Sequence, residues 1–154
     1  MVSDPSSTSF VLKRDVDGLK YFVTRREAGE AVQAPELFYR AWDECLESQV
    51  VDKERWVGSV LARLAQIDDR YEIGVHNGDH TVGGIILAPD DDPHVGECLS
   101  VFAQYVMPEY RNLGVSMYCM RLALRIARDA GYNVLAYTHR VGVGRYETIY
   151  RRIR

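Results

Sequence analysis

Two strand-like runs, 70–76 and 80–88, flank the tripeptide Asn77-Gly78-Asp79. Asn-Gly between such runs is the strongest short-range hairpin signal, because a tight loop needs positive φ and glycine takes it without a Cβ clash. The middle of the chain is thereby committed to antiparallel sheet. The next segment, Pro89 to Pro93, reads as an acidic loop, Pro-Asp-Asp-Asp-Pro. Glu97 to Val106 is then a long β-prone run. Met107-Pro108-Glu109 ends it, since proline has no N–H for the ladder.

Helical periodicity appears on either side. Ala34-Pro35 opens one helix, with Pro35 in the first turn where a missing N–H costs nothing. Leu37, Phe38, Ala41, Trp42, Cys45 and Leu46 follow at helical spacing. Asp52 is an N-cap for a second helix with Trp56, Val57, Val60, Leu61 and Leu64 on its stripe. A third runs from Asn112 to Ala130, with Gly131 as its C′ residue. Val11-Leu12 and Lys20 to Val23 are strand material around an Asp17-Gly18 turn. Asn133 to Thr138 reads as a buried strand, Val141 to Gly144 as a loop, and Arg145 to Ile153 as a strand with Tyr146, Thr148 and Tyr150 on one face. The order is β, two helices, a hairpin continuing into a third strand, helix, strand, strand: a mixed α/β (α+β) domain over 10–154, preceded by a flexible arm, 1–9.

Composition bounds the function. The 154 residues are 47% hydrophobic and 27% charged, which is globular and sufficient for one core. The formal charge is −3, against the basic balance of a nucleic-acid binder. Residues 140–154 hold five arginines against one glutamate, a patch suited to an anion or to solvent. No apolar run is long enough to span a bilayer, and Met1 to Ser9 has no signal-peptide character, so a cytoplasmic location is expected. Cys45, Cys98 and Cys119 are odd in number and widely spaced, which signals neither disulfides nor zinc. His76 and His80 flank a hairpin rather than share a helix face, and Asp90 to Asp92 lack a calcium-loop pattern, so no metal is expected.

The segment that carries chemistry is Tyr105 to Ser116, Tyr-Val-Met-Pro-Glu-Tyr-Arg-Asn-Leu-Gly-Val-Ser. A strand ends, the chain turns, and a helix begins. N–H groups at a helix N-terminus form an anion site. Gly114 removes side-chain bulk there, Ser116 is small, and Arg111 offers a fork of donors. These features suit a diphosphate without saying which.

Here the chain resembles the GNAT superfamily of acetyl-CoA-dependent N-acetyltransferases, whose signature Gln/Arg-x-x-Gly-x-Gly/Ala follows a Val-x-Pro-x-Tyr/Phe phrase. The match runs from Val106-Met107-Pro108-Glu109-Tyr110 through Arg111, Gly114 and Ser116, and the element order is similar from about residue 20 to about 139. The resemblance implies a GNAT-like fold: a central, mostly antiparallel sheet, two N-terminal helices, a CoA-binding strand-turn-helix and a shortened C-terminus. It implies that Val106 and Met107 end a splayed strand facing the pantetheine. It also implies that Arg111, Asn112, Leu113, Gly114, Val115 and Ser116 wrap the pyrophosphate of acetyl-CoA.

Two departures stand out. Ser116 replaces the family's Gly or Ala. After Thr138, the family's short helix with a thiolate-protonating Tyr gives way to Gly142 and Gly144, which leaves Tyr150 as the tyrosine to consider. Direct transfer needs a base or water chain and an oxyanion donor. Ser100 stands where histone-type members have a glutamate, His139 lies just past the divergent strand, and Glu97 and His94 lie near strand ends. The expected function is acetyl transfer to a primary amine of a small molecule or protein in a ternary complex. The alternative is a catalytically weak GNAT-like interaction protein, since compact members also resemble those of bacteriophage genomes. Neither nucleic acid nor a membrane is expected as partner. The chain is read as a monomer, or as a homodimer paired through its tail strand.

Overall fold

The structure, a computed structural model, describes residues 9–14 and 18–153. The arm 1–9, apart from Ser9, and Asp17 of the Asp17-Gly18 turn lie outside the described residues. Strand β1 (Ser9–Arg14) pairs with β2 (Leu19–Arg26), longer strands than the sequence suggested. Helix α1 (Glu36–Glu44), a 3-10 turn (Ser48–Val50) and helix α2 (Lys53–Ala65) follow. Then come β3 (Arg70–Asn77), β4 (His80–Asp92), β5 (Gly96–Val106), a 3-10 turn (Pro108–Tyr110), helix α3 (Val115–Asp129), β6 (Val134–Gly142) and β7 (Arg145–Arg152). The strands form one seven-stranded sheet in chain order, antiparallel everywhere except between β5 and β6.

The alternation of each strand sends its apolar residues to two helical layers. On one face Ile85, Leu87, Leu99 and Leu135 pack under α3, whose Cys119, Leu122, Ala123 and Ile126 are buried against them. On the other, Ile86 and Ala103 meet α2 through Val60, Leu61 and Leu64, and α1 through Phe38. Each fully buried aliphatic side chain contributes about 1.5–3 kcal/mol. The helix ends follow the expected chemistry. Asp52 accepts from the Arg55 N–H at 3.1 Å. Gly131, at φ 87°, closes α3 with Gly131 N–H to Arg128 O at 3.1 Å and Tyr132 N–H to Ala127 O at 2.9 Å. That pair of bonds is the Schellman pattern.

Three local expectations are corrected. Pro89 to Asp92 is strand, paired with Leu99 to Gly96, not a loop. Pairing of β3 with β4 ends at Leu87, so Pro89 sits where β4 has a free edge and its missing N–H leaves no ladder bond open. Only Asp92 makes the turn, accepting from His94 N–H at 2.7 Å and Val95 N–H at 3.3 Å. Helix α3 starts at Val115 rather than Asn112, because Asn112 and Gly114 hold φ values of 64° and 76°, outside the helical region. Finally, Val141 and Gly142 belong to β6, which leaves Val143 and Gly144 as a two-residue hairpin turn.

Arg70 is fully buried at the start of β3. Its Nε donates to Glu72 Oε2 at 3.0 Å. Nη1 donates to the carbonyls of Glu27 at 3.2 Å and Ile67 at 3.0 Å, and Nη2 to those of Glu30 and Ala31. Glu72 Oε1 in turn accepts from Gln33 N–H at 2.8 Å. One guanidinium thus fixes the segment between β2 and α1, the end of α2, and β3. Replacing one partner of such a pair strands the other charge, at about 3–5 kcal/mol. Arg70→Leu is expected to lower unfolding stability by about that much, and Arg70→Leu/Glu72→Leu to recover part of it, read as urea midpoints. Equal midpoints for wild type and Arg70→Leu would contradict this role.

Candidate active site

Strands β5 and β6 share only two parallel register positions, Leu99 with Leu135 and Ser100 with Ala136. Beyond Ser100 they part, and β5 runs on to Val106 with its β6-facing edge open. Phe102 is an extra residue in β5: Val101 pairs with Leu87 and Ala103 with Ile86. Such a bulge bends its strand. At the far end, Met107 N–H donates to Val82 O on β4 at 2.8 Å. The backbone amide and carbonyl of Val106, one residue back, therefore point the other way, into the cleft. Gly83 permits this closeness, since a Cβ there would lie 3.1 Å from the Tyr105 carbonyl oxygen and 3.4 Å from Val106 Cγ2.

The chain leaves Val106 through the turn at Pro108–Tyr110 and enters α3 through Gly114. The N–H groups of Val115, Ser116 and Met117 lie in the first helical turn, where no intrahelical acceptor exists, and the N-cap residue, Gly114, has no side chain to cap them. Ser116 and Met117 are exposed, whereas Val115 is buried and anchors the turn. This terminus faces solvent beside the cleft's open end, with no carboxylate in its first turn.

On the opposite face, a groove of about 630 Å³ runs between α1, α2 and the sheet. Its walls are mainly apolar, including Phe38, Trp56 and Phe102. Glu44, Tyr105 and Arg111 meet at the end nearest Val106. The Tyr105 hydroxyl donates to Glu44 Oε2. Arg111 Nη2 lies 2.9 Å from Glu44 Oε1, its Nε donates to the Val106 carbonyl at 2.8 Å, and its guanidinium stacks 5.5 Å from the Tyr105 ring centre. Burial and the Glu44 hydrogen bond push the Tyr105 phenol up to about 12, so it is a donor at neutral pH.

A second cluster lies just past the end of α1. Glu47 receives the Cys45 thiol at 2.9 Å, Arg140 Nε at 3.0 Å and the Gly144 N–H. These donors, led by Cys45 and Gly144, hold its carboxyl at about 2. The loop after α1 is thereby clasped to the β6–β7 hairpin, and Tyr146 of that hairpin joins the groove wall.

The structure brings Val106, Met107, Arg111, Asn112, Leu113, Gly114, Val115 and Ser116 into one continuous strand-turn-helix. The Arg111 guanidinium, however, turns to Glu44 and the groove rather than to the helix terminus. The three catalytic candidates do not meet there. Ser100 is half-buried at the last β5–β6 pairing and outside the groove wall. His139 is exposed on β6, opposite Glu147. Tyr150 donates to Asp92 Oδ2 at 2.9 Å and lies 3.3 Å from His94 Nδ1, pinning β7 to the β4–β5 turn. The Asp92 bond and burial raise its phenol. His94 and Glu97, also weighed as bases, are exposed near that same turn. Sequence reasoning missed Glu44, Glu47, Tyr105 and Tyr146. One readable sign existed for Glu44: with Leu37 and Ala41 it continues a stripe at i, i+4, i+7, a carboxylate ending an apolar helix face.

A family model described as Acetyltransferase (GNAT) family matches residues 34–145. The chain belongs to the GNAT acetyltransferase family. Solved structures agree at the level of fold. A GCN5-related N-acetyltransferase from Ralstonia eutropha JMP134 superimposes with TM-score 0.57 at 15% identity, covering 82% of this chain and 86% of that one. An aminoglycoside acetyltransferase from an uncultured soil metagenomic sample, in complex with sisomicin, gives 0.57 at 13% identity over 81% and 80%. AAC(6′)-Iy in complex with the bisubstrate analog CoA-S-monomethyl-acetylneamine gives 0.52 at 11% over 79% and 80%. No curated sequence matches significantly. In this GNAT acetyltransferase no described helix is long and apolar enough to cross a membrane.

The Glu47 clasp has a pH signature. A carboxylate depressed on folding adds stability that is complete above its ordinary value of 4.5 and is lost as pH falls toward about 2. The stability difference between wild type and Glu47→Gln should be constant above pH 5 and shrink through that window, by denaturant titration at each pH. A difference that grows on acidification would refute the clasp.

Proposed function

We propose that this GNAT protein transfers an acetyl group from acetyl-CoA to a primary amine within a ternary complex. The observation that carries the reading is the open edge of β5 at Val106, placed between the uncapped start of α3 and the groove's Glu44 end. Each part suits one portion of the two substrates. The N–H groups of Val115, Ser116 and Met117 suit a diphosphate, and Gly114 keeps its approach clear of a side chain. The parted β5 and β6 edges suit an extended pantetheine, which can add backbone hydrogen bonds as a strand would. The cleft-facing Val106 N–H suits a developing oxyanion.

When bound, acetyl-CoA supplies a thioester whose C–S bond breaks as a C–N bond to the amine forms, the thiol gaining one proton and the amine losing one. The residues of this chain govern the rest. Glu44 is the groove carboxylate with solvent access, about 37% exposed, and it accepts the ammonium proton directly or through water. Tyr105 and Arg111 orient it. The other carboxylate of the wall, Glu72, is buried and bound to Arg70. Ser100, His139 and Tyr150 are not assigned catalytic steps in this reading.

Two substitutions separate the halves of the site. Ser116→Asp places a negative charge in the first turn of α3, which stabilises the helix by about 0.3–1 kcal/mol through its dipole. The same charge repels a diphosphate, so thermal stability should hold or rise while CoA affinity falls clearly, by calorimetry. Unchanged affinity would remove the diphosphate assignment. Glu44→Gln should lower kcat/KM about 100-fold, within the range for losing general-base catalysis, with little change in CoA binding.

A further inference from the structure

We propose that the acceptor carries a single amine on an aromatic or branched apolar body, and that the groove selects against polycations. The inference rests on the groove being the acceptor site, as argued above. Its basis is the charge pairing of the walls. Glu72 is neutralised by Arg70, and Arg140 by Glu47. Arg111 lies against Glu44, which leaves Glu44 as the groove's one solvent-reachable carboxylate. A polyamine or aminoglycoside needs several unpaired carboxylates along its length. This groove offers a single solvent-reachable carboxylate, Glu44, and Arg111 already shares it.

The remaining wall supplies apolar area. Phe38 and Trp56 rise from the two helices, and Ile86 and Ala103 from the sheet. Phe102, the bulged residue of β5, is 38% exposed and turned to the groove, with the Arg63 guanidinium 5.3 Å from its ring centre. A large, partly exposed aromatic at a bulge is costly to leave in water unless a ligand covers it. The volume, about 630 Å³, falls in the range of small-molecule sites, roughly 300–1,000 Å³.

The test uses the full chain and three amines: 2-phenylethylamine, ethanolamine and sisomicin. Binding is read from the fluorescence of Trp56 in the groove wall, and transfer from thiol release with acetyl-CoA. The expected result is tighter binding of 2-phenylethylamine than of either other amine, by about tenfold or more, the discrimination an apolar pocket supplies. Phe102→Ala should reduce that preference about tenfold and leave CoA affinity unchanged. Ala41→Leu, which fills the groove from α1, should weaken all three. Tighter binding of sisomicin, or equal binding of ethanolamine and 2-phenylethylamine, overturns the proposal. Selective 2-phenylethylamine binding without thiol release would uphold the groove's selectivity and overturn the transferase reading instead.

Discussion

The site depends on a guanidinium that never touches it. Arg70 lies in the interior with a carboxylate and the main-chain carbonyls of two segments around it. A buried charge persists only when its donors are satisfied, so those carbonyls have few other places to be. The consequence reaches the groove through Glu72, whose second oxygen fixes Gln33 N–H. Gln33 and Ala34 are groove wall, and α1 starts two residues later. The distance between α1 and the sheet, and hence the groove's width, is set by this polar network as much as by apolar packing.

The second constraint is the parting of β5 and β6. A parallel pair would normally continue its ladder, since unpaired strand edges are unfavourable when buried. Here the bulge at Phe102 and the turn-and-helix after Val106 carry β5 away after two register positions. β6 is held instead by β7 through eight paired positions, with Tyr150 anchored on Asp92. The cleft is therefore a stable feature of the fold, kept open by pairings on the outer edge of each strand.

Legibility in the sequence followed the range of the interaction. The hairpin at Gly78, the Asp52 cap and the Gly131 terminus are local devices, and each stood where its residues indicated. The strand-turn-helix was legible for the same reason: Val106, Pro108 and Gly114 each restrict their own backbone. One boundary that moved is where a single side chain decides among several similar ones, as Asp92 does among three aspartates, and another is the α3 start, set by the positive φ of Asn112 and Gly114. Glu44, Glu47 and Tyr105 were illegible as a cluster because the contacts that join them to Arg111, Arg140, Gly144 and each other span 61 to 97 positions. The surroundings of Tyr150 were hidden for a related reason. Its register on β7 was readable, but Asp92, which claims its hydroxyl, belongs to a turn 58 positions earlier.

Glu44 also shows how local rules yield at a site. It is the last residue of α1, where the helix dipole disfavours a carboxylate by about 0.3–1 kcal/mol, and that turn holds no basic residue to offset it. A lysine or arginine would serve the isolated helix better. The compensation comes from outside the helix, from Arg111 in the turn before α3 and from the Tyr105 hydroxyl on β5. Arg111 also holds the Val106 carbonyl, so one side chain spans the cleft's end and the groove's end. A residue that is unfavourable in its own helix and favoured only by partners from two other segments is a departure from local consistency of the kind expected of a functional group.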